Sequence, residues 1–320
     1  TQNTTSPAVD FAFRSYMKNA WDELRESGMQ DSLQHVYSKE FYEYYLQNPD
    51  TPTGTDALLQ AFTLWANTGN DQYVTGALNS LSYDSGIWGK IIHSVGSIYH
   101  QSDSLGAEAY YTLLADLREK LTDPLSKSAV VLSLLQRAKA GNNNKKAIEL
   151  ARGLIEIDAA EYFTQLGFDY LYELESLRIG QEAPHFRART IDGETISLDD
   201  LSGQFVLLDF WISWWRPCLP KIPYLETLWD RHKDSGLTIV GVSLDTNRSD
   251  LTAYVHEREI TWPQVFEAEG WSGEQAGMYN ETGIPRTYLI DPNGKIAAKN
   301  LRGEELIYKI EEHMNMWKTQ

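Results

Sequence analysis

Cysteine is all but missing: Cys218 is the only one in 320 residues. No disulfide can close within the chain, and cysteine pairing gives no clue to redox compartment. Also missing is any apolar run approaching the roughly 18 to 20 residues that span a bilayer. The strongest run, 206–211, has the length of a strand. Positive charge is scarce as well: 28 Lys and Arg face 45 Asp and Glu, a formal charge of −17, and neither half of the chain concentrates the excess. A surface of that sign repels phosphate backbones and anionic headgroups, so nucleic acid and lipid surfaces are not expected as partners. His185, His232 and His256 show no ligand spacing with one another or with Cys218, and Gly273 and Gly277 form no phosphate loop. No metal site and no cofactor are expected.

The chain has length enough for two cores, and two stretches with different patterns. From residue 11 to about 177, apolar residues recur at helical spacing with turn residues between the runs. Residues 1–178 therefore read as an all-helical domain. Asp31 is expected to start a helix carrying Val36, Phe41, Tyr44 and Tyr45, and Gly54-Thr55-Asp56 to cap one carrying Leu58, Phe62 and Trp65. Further starts are expected at Asp84, Asp103, Asp123 before Pro124, and Asp158. Ala138, Ala147 and Ala151 let neighbouring helices approach, and 141–144 is a turn. The pattern predicts stacked helical hairpins of the tetratricopeptide-like kind, an architecture that presents concave surfaces to protein partners. Trp21, Tyr42, Trp65, Trp88, Tyr110 and Tyr111 fall on helical spacing and are expected in the core rather than in a ligand groove. Ahead of them, the polar stretch Thr1 to Pro7 reads as a flexible leader, such as remains after removal of a signal peptide or after an artificial truncation, two origins that the sequence leaves open.

The pattern changes at Ile179-Gly180. Strands are expected at 205–211, 237–244, 264–266, 287–290 and 296–299, and helices at 218–233, 249–257, 273–279 and 303–313, with a hairpin turn at Pro292-Asn293-Gly294. Helices alternating with buried strands predict an α/β domain over 179–320, its sheet covered on both faces.

Here the residues resemble a known family. The run Asp209-Phe210-Trp211-Ile212-Ser213-Trp214-Trp215-Arg216-Pro217-Cys218 looks like the thioredoxin active-site strand and loop, whose usual form ends in Trp-Cys-x-Pro-Cys. Gly180 to Phe186, Asp192 to Gly203, Val240 to Asp245, Gly283 to Asp291 and Asn293 to Ile296 agree in order and spacing with the TlpA-like and ResA-like redoxins of the AhpC/TSA superfamily. The helical half resembles only loosely the helical segments that precede some bacterial redoxin domains. The resemblance implies a thioredoxin-like domain with a central mixed sheet, and a place outside the cytoplasm, in the bacterial periplasm or cell envelope.

It also implies a chemistry from which this chain departs. In the family the first cysteine of the motif, at an exposed helix N-terminus, attacks a substrate disulfide as thiolate, and the second resolves the mixed disulfide. Trp215 stands at the first position and Cys218 at the second. An indole has no nucleophilic sulfur, so the two-cysteine cycle cannot run. Lys221 stands where TlpA-like proteins usually carry an acid, while Asp209 matches the buried acid expected to take the proton of the second cysteine. Pro285 matches the family's cis-proline, beside which the backbone of Ile284 would pair with an extended segment. The peroxidase pattern Pro-x-x-x-Thr-x-x-Cys is absent, because Trp211 and Trp215 occupy the proline and threonine positions.

Two functions stay open on the sequence. One is a redox-inactive module that binds a protein or peptide through Trp214, Trp215, Arg216, Pro217, Ile284 and Pro285, with the helical domain as a further interaction surface. The other is a single-cysteine oxidoreductase or antioxidant protein in which Cys218 reacts and an external thiol resolves. Trp215 itself admits two roles: a contact surface, or a lid folded down over Cys218.

Overall fold

A computed structural model describes residues 7–319. The expected leader lies outside the described residues except for Pro7, where the first helix already begins. The chain forms two compact units that part between Phe168 and Asp169.

The first unit is helical: α1 (Pro7–Glu26), α2 (Asp31–Gln47), α3 (Pro52–Thr68), α4 (Val74–Asn79), α5 (Trp88–Gln101), α6 (Gly106–Lys120), α7 (Pro124–Ala140), α8 (Asn144–Ile157) and the start of α9 (Glu161–Glu175). Helices adjacent in sequence pack on one another, α2 on α3, α5 on α6 and α7 on α8. Trp65, Trp88, Phe41 and Phe62 are fully buried in its core, with Tyr42 and Tyr110, while Trp21 and Tyr111 pack partly buried against it. Gly96 permits one close approach: a Cβ there would stand 2.9 Å from the Tyr110 ring, whose hydroxyl donates to Ile92 O at 2.9 Å.

Several helix starts differ from expectation. α3 begins before residue 54, because Thr51 Oγ1 accepts from the Gly54 N–H at 2.9 Å and Pro52 fills a first-turn position where no N–H is needed. Asp84 lies in a turn ahead of α5, and Asp158 ends α8 in a left-handed conformation (φ 46°) instead of starting α9. Asp123 caps α7 as expected, its Oδ2 accepting from the Ser126 N–H at 2.7 Å.

The second unit opens with the end of α9. Tyr172 Oη donates to Met278 O at 2.9 Å, Lys299 Nζ donates to Leu177 O at 2.7 Å, and Leu177 is buried against the sheet, so 169–178 belong to the second unit. A small hairpin of β1 (Arg187–Arg189) and β2 (Thr195–Ser197) comes next, which the sequence pattern did not indicate. Then come β3 (Phe205–Trp211), α10 (Ile222–His232), β4 (Leu237–Ser243), α11 (Arg248–Glu257), β5 (Gln264–Phe266), α12 (Glu274–Met278), β6 (Arg286–Ile290), β7 (Ile296–Lys299) and α13 (Gly303–Lys318).

The five-stranded sheet runs β5-β4-β3-β6-β7. β3, β4 and β5 are parallel, whereas β6 is antiparallel to β3 and to β7, giving the mixed sheet of a thioredoxin-like fold. β3 is the central strand and buried along its whole length, as its unbroken apolar run requires. Its side chains alternate between two cores. Phe205, Leu207 and Trp211 face Leu225, Leu228 and Ile310 of α10 and α13, while Val206, Leu208 and Phe210 face Tyr279 and Tyr288.

Candidate functional site

The register of the sheet fixes where the loop at 212–217 stands. Phe210 pairs with Arg286 across β3 and β6, so the chain leaving β3 and the Ile284–Pro285 peptide entering β6 lie at the same end of the sheet. That peptide is cis. Arg302 Nη2 donates to Pro285 O at 3.1 Å, a contact that the sequence pattern did not indicate.

Asp245 anchors the loop. It lies just past β4, the parallel neighbour of β3, and is buried. Its carboxylate accepts from the Ser213 N–H at 3.0 Å, from Ser213 Oγ at 2.8 Å and from Ser243 Oγ at 2.7 Å. Gln264 steadies the strand end, its Oε1 accepting from Trp211 Nε1 at 3.1 Å. Beyond Ser213 the chain turns outward: Trp214, Trp215, Arg216 and Pro217 are all exposed. The two indoles stand 64% and 43% exposed and meet edge to face, 6.2 Å between centroids and 84° between planes. The Trp215 indole is therefore half in solvent.

The helix expected from residue 218 does not start there. Arg216–Lys221 is a 3-10 turn, and the α-helix begins at Ile222. The cause is proline chemistry: Pro223 has no N–H to give to the Leu219 carbonyl four residues earlier, which would break a helix begun at 218, whereas it falls in the first turn of a helix begun at Ile222, where no N–H is needed. The Cys218 N–H donates to Trp215 O at 2.8 Å within this turn. Position 215 thus caps a short 3-10 turn, and the amide groups that open α10 lie more than a turn further along.

Cys218 is fully buried in the core between sheet and α10, with Trp211, Ile222 and Leu225. Burial pushes its thiol up from the ordinary cysteine value, and the nearby Lys221 charge offsets only part of that shift. Asp209, by strand alternation, points to the same face of the sheet. Its carboxylate pairs with the Lys221 ammonium, and both side chains are buried. Burial raises the Asp209 carboxyl while Lys221 pulls it down. The acid aligned with a proton acceptor for Cys218 is thus held by an ammonium supplied from the 3-10 turn.

Flanking the Ile284–Pro285 peptide in sequence, Glu281 and Arg286 belong to a second buried ionic group that the sequence did not reveal. Glu281 is buried, Arg286 Nε stands 3.2 Å from its Oε2, and Glu173 lies 3.7 Å from Arg286 Nη1. Desolvation pushes the Glu281 carboxyl up to about 8. Among the described residues, no group of three or more His, Cys, Asp or Glu is placed to hold a metal ion, and no helix is long and apolar enough to cross a membrane.

Residues 179–299 match the model of the AhpC/TSA family. Over 142 residues the chain is 33% identical to the thiol-disulfide oxidoreductase ResA of Oceanobacillus iheyensis, covering 43% of this chain and 72% of that protein. The chain belongs to this redoxin family. The thioredoxin-like protein YneN of Bacillus subtilis is 33% identical to the redoxin over 120 residues, 37% of this chain and 68% of YneN. A solved thioredoxin domain of a thiol-disulfide oxidoreductase from Bacteroides vulgatus is 35% identical, covering 43% of this chain and 99% of its own, with a TM-score of 0.41. The family match begins at residue 179, so the helical unit lies outside it. Within the family, this redoxin has the thioredoxin-like fold with one cysteine where the two-cysteine motif needs a pair.

Proposed function

We propose that the redoxin unit captures an extended segment of a protein partner on the surface of Trp214, Trp215, Arg216, Pro217, Ile284 and Pro285, and performs no disulfide exchange there. The observation that carries this reading is a contrast within five residues: the only thiol has no solvent exposure, while two neighbouring indoles stand 64% and 43% exposed, in the loop that leaves β3 at the end of the sheet where the Ile284–Pro285 peptide enters β6. Exposed tryptophans contribute strongly to contact surfaces, and an extended segment suits such an apolar platform. The burial and raised thiol of Cys218 count against a single-thiol oxidoreductase, since the thiolate is the reactive form. We place the protein outside the cytoplasm, in the bacterial cell envelope, on family resemblance.

The test is one variant with three readouts. Trp215→Ala is expected to weaken capture of unfolded, disulfide-reduced protein by about tenfold, the usual cost of truncating an anchor residue. Its Tm and the slow reaction of Cys218 with Ellman's reagent are expected to stay near wild type. Unchanged capture with a lowered Tm and fast Cys218 labelling would instead make Trp215 a lid and end the binding reading.

A further inference from the structure

The charge of the whole chain conceals a local reversal. Residues 118–152 carry eight Lys and Arg against three Asp and Glu, in a chain of −17. This stretch runs from the end of α6 through α7 and most of α8, and those helices line a groove of about 660 Å³. Leu134 and Leu150 give the groove apolar lining, with Tyr111 beside them, and Arg118, Arg137 and Lys146 supply three cations against one lining acid, Glu119. A second hollow of about 530 Å³, between α5, α6 and α7, shares Tyr111 and Arg137 with the first. Together they form a trough across four helices. At their junction the Arg137 guanidinium stacks on Tyr111, 3.6 Å from the ring centroid.

Each cation in the trough already rests on a carboxylate at its edge. Arg137 stands 2.8 Å from Glu108, while Arg118 at 3.5 Å and Lys146 at 2.7 Å share Glu149. These pairs are solvent-exposed, and pairs of that kind contribute little and exchange readily. The cations are thus poised to take carboxylates from outside.

We propose that this trough binds an acidic segment of a partner polypeptide, whose carboxylates replace Glu108 and Glu149 on Arg137, Arg118 and Lys146 and whose apolar side chains rest on Leu134 and Ala138. Charge complementarity selects the occupant. The basic stretch 118–152, eight Lys and Arg against three acids, sits on a strongly negative chain and attracts acid only at short range, because fields are screened within about 8 Å at physiological salt. A long polyanion or an anionic bilayer extends past the trough and meets the negative remainder. A short acidic peptide does not.

The experiment uses the full chain and a fluorescein-labelled peptide of about twelve residues alternating Glu and Leu, with a Gln and Leu peptide of equal length as reference. Fluorescence anisotropy is expected to give binding at least tenfold tighter for the Glu peptide. Arg118→Glu with Lys146→Glu is expected to abolish that preference, whereas Lys120→Glu with Lys145→Glu, the same charge change outside the lining, leaves it within about twofold. Circular dichroism checks each fold, and Arg118→Gln with Lys146→Gln replaces the first pair if that pair unfolds. Equal binding of the two peptides, or equal loss in both double variants, overturns the proposal. Tighter binding of duplex DNA or of phosphatidylglycerol vesicles overturns it too.

Discussion

The Lys221 ammonium lies against the Asp209 carboxylate with both side chains out of solvent, at 6% and 1% exposure. The 3-10 turn brings Lys221 over the sheet, and strand alternation points Asp209 up to meet it. The pair occupies the polar ground beside Cys218 that a proton-transfer path would need.

Removing the ammonium leaves a buried carboxylate without its counter-charge, so Lys221→Met is expected to lower stability by about 3–5 kcal/mol near neutral pH. Burial already raises the Asp209 carboxyl, and without Lys221 it rises further. A raised acid contributes stability in full below its unfolded value and loses it as pH climbs towards and through the folded one. Urea unfolding of the variant is therefore expected to show a smaller deficit at about pH 5 than at about pH 8. An equal deficit at both would contradict the pairing.

Glu281 sets a second pH dependence. Its carboxyl moves from the ordinary 4.5 to about 8 through burial. Its stabilising contribution is complete below 4.5 and is lost as the pH rises through about 8. The Tm of the wild type is expected to fall between about pH 6 and about pH 9, and Glu281→Gln, which cannot ionise, to flatten that fall. A wild-type Tm level across this range would show that Glu281 is ionised throughout.

Trp215→Cys restores the family's i, i+3 cysteine spacing, and the turn already closes from the Cys218 N–H to Trp215 O at 2.8 Å. The variant is expected to form a 215–218 disulfide under mild oxidant, read as loss of two thiols by mass after alkylation. A folded variant that stays reduced would mean that the 3-10 turn holds these positions apart.

The sequence is most legible where one physical signal acts alone. The unbroken apolar run of β3 marks the central strand, and the missing first cysteine excludes the two-cysteine cycle on residue identity alone. Signals that compete or act at a distance are harder to read. The helix expected from Cys218 starts four residues later because Pro223, with no N–H, is tolerated only in a first turn. Strands β1 and β2 are three residues each and mostly polar, too short for alternation to register. Lys221 reads as a lost acid because its partner is a strand residue twelve positions away, and the clamp of Asp245 on Ser213 depends on strand register. The basic stretch at 118–152 disappears when charge is counted by halves.

The central claim is that Cys218 takes no part in disulfide exchange. Insulin reduction by dithiothreitol, followed by turbidity, tests it with the wild type beside Cys218→Ala. Both are expected to leave the uncatalysed rate unchanged, because the one thiol is buried and the attacking position holds an indole. A wild type that accelerates the reaction above the Cys218→Ala variant would contradict the account.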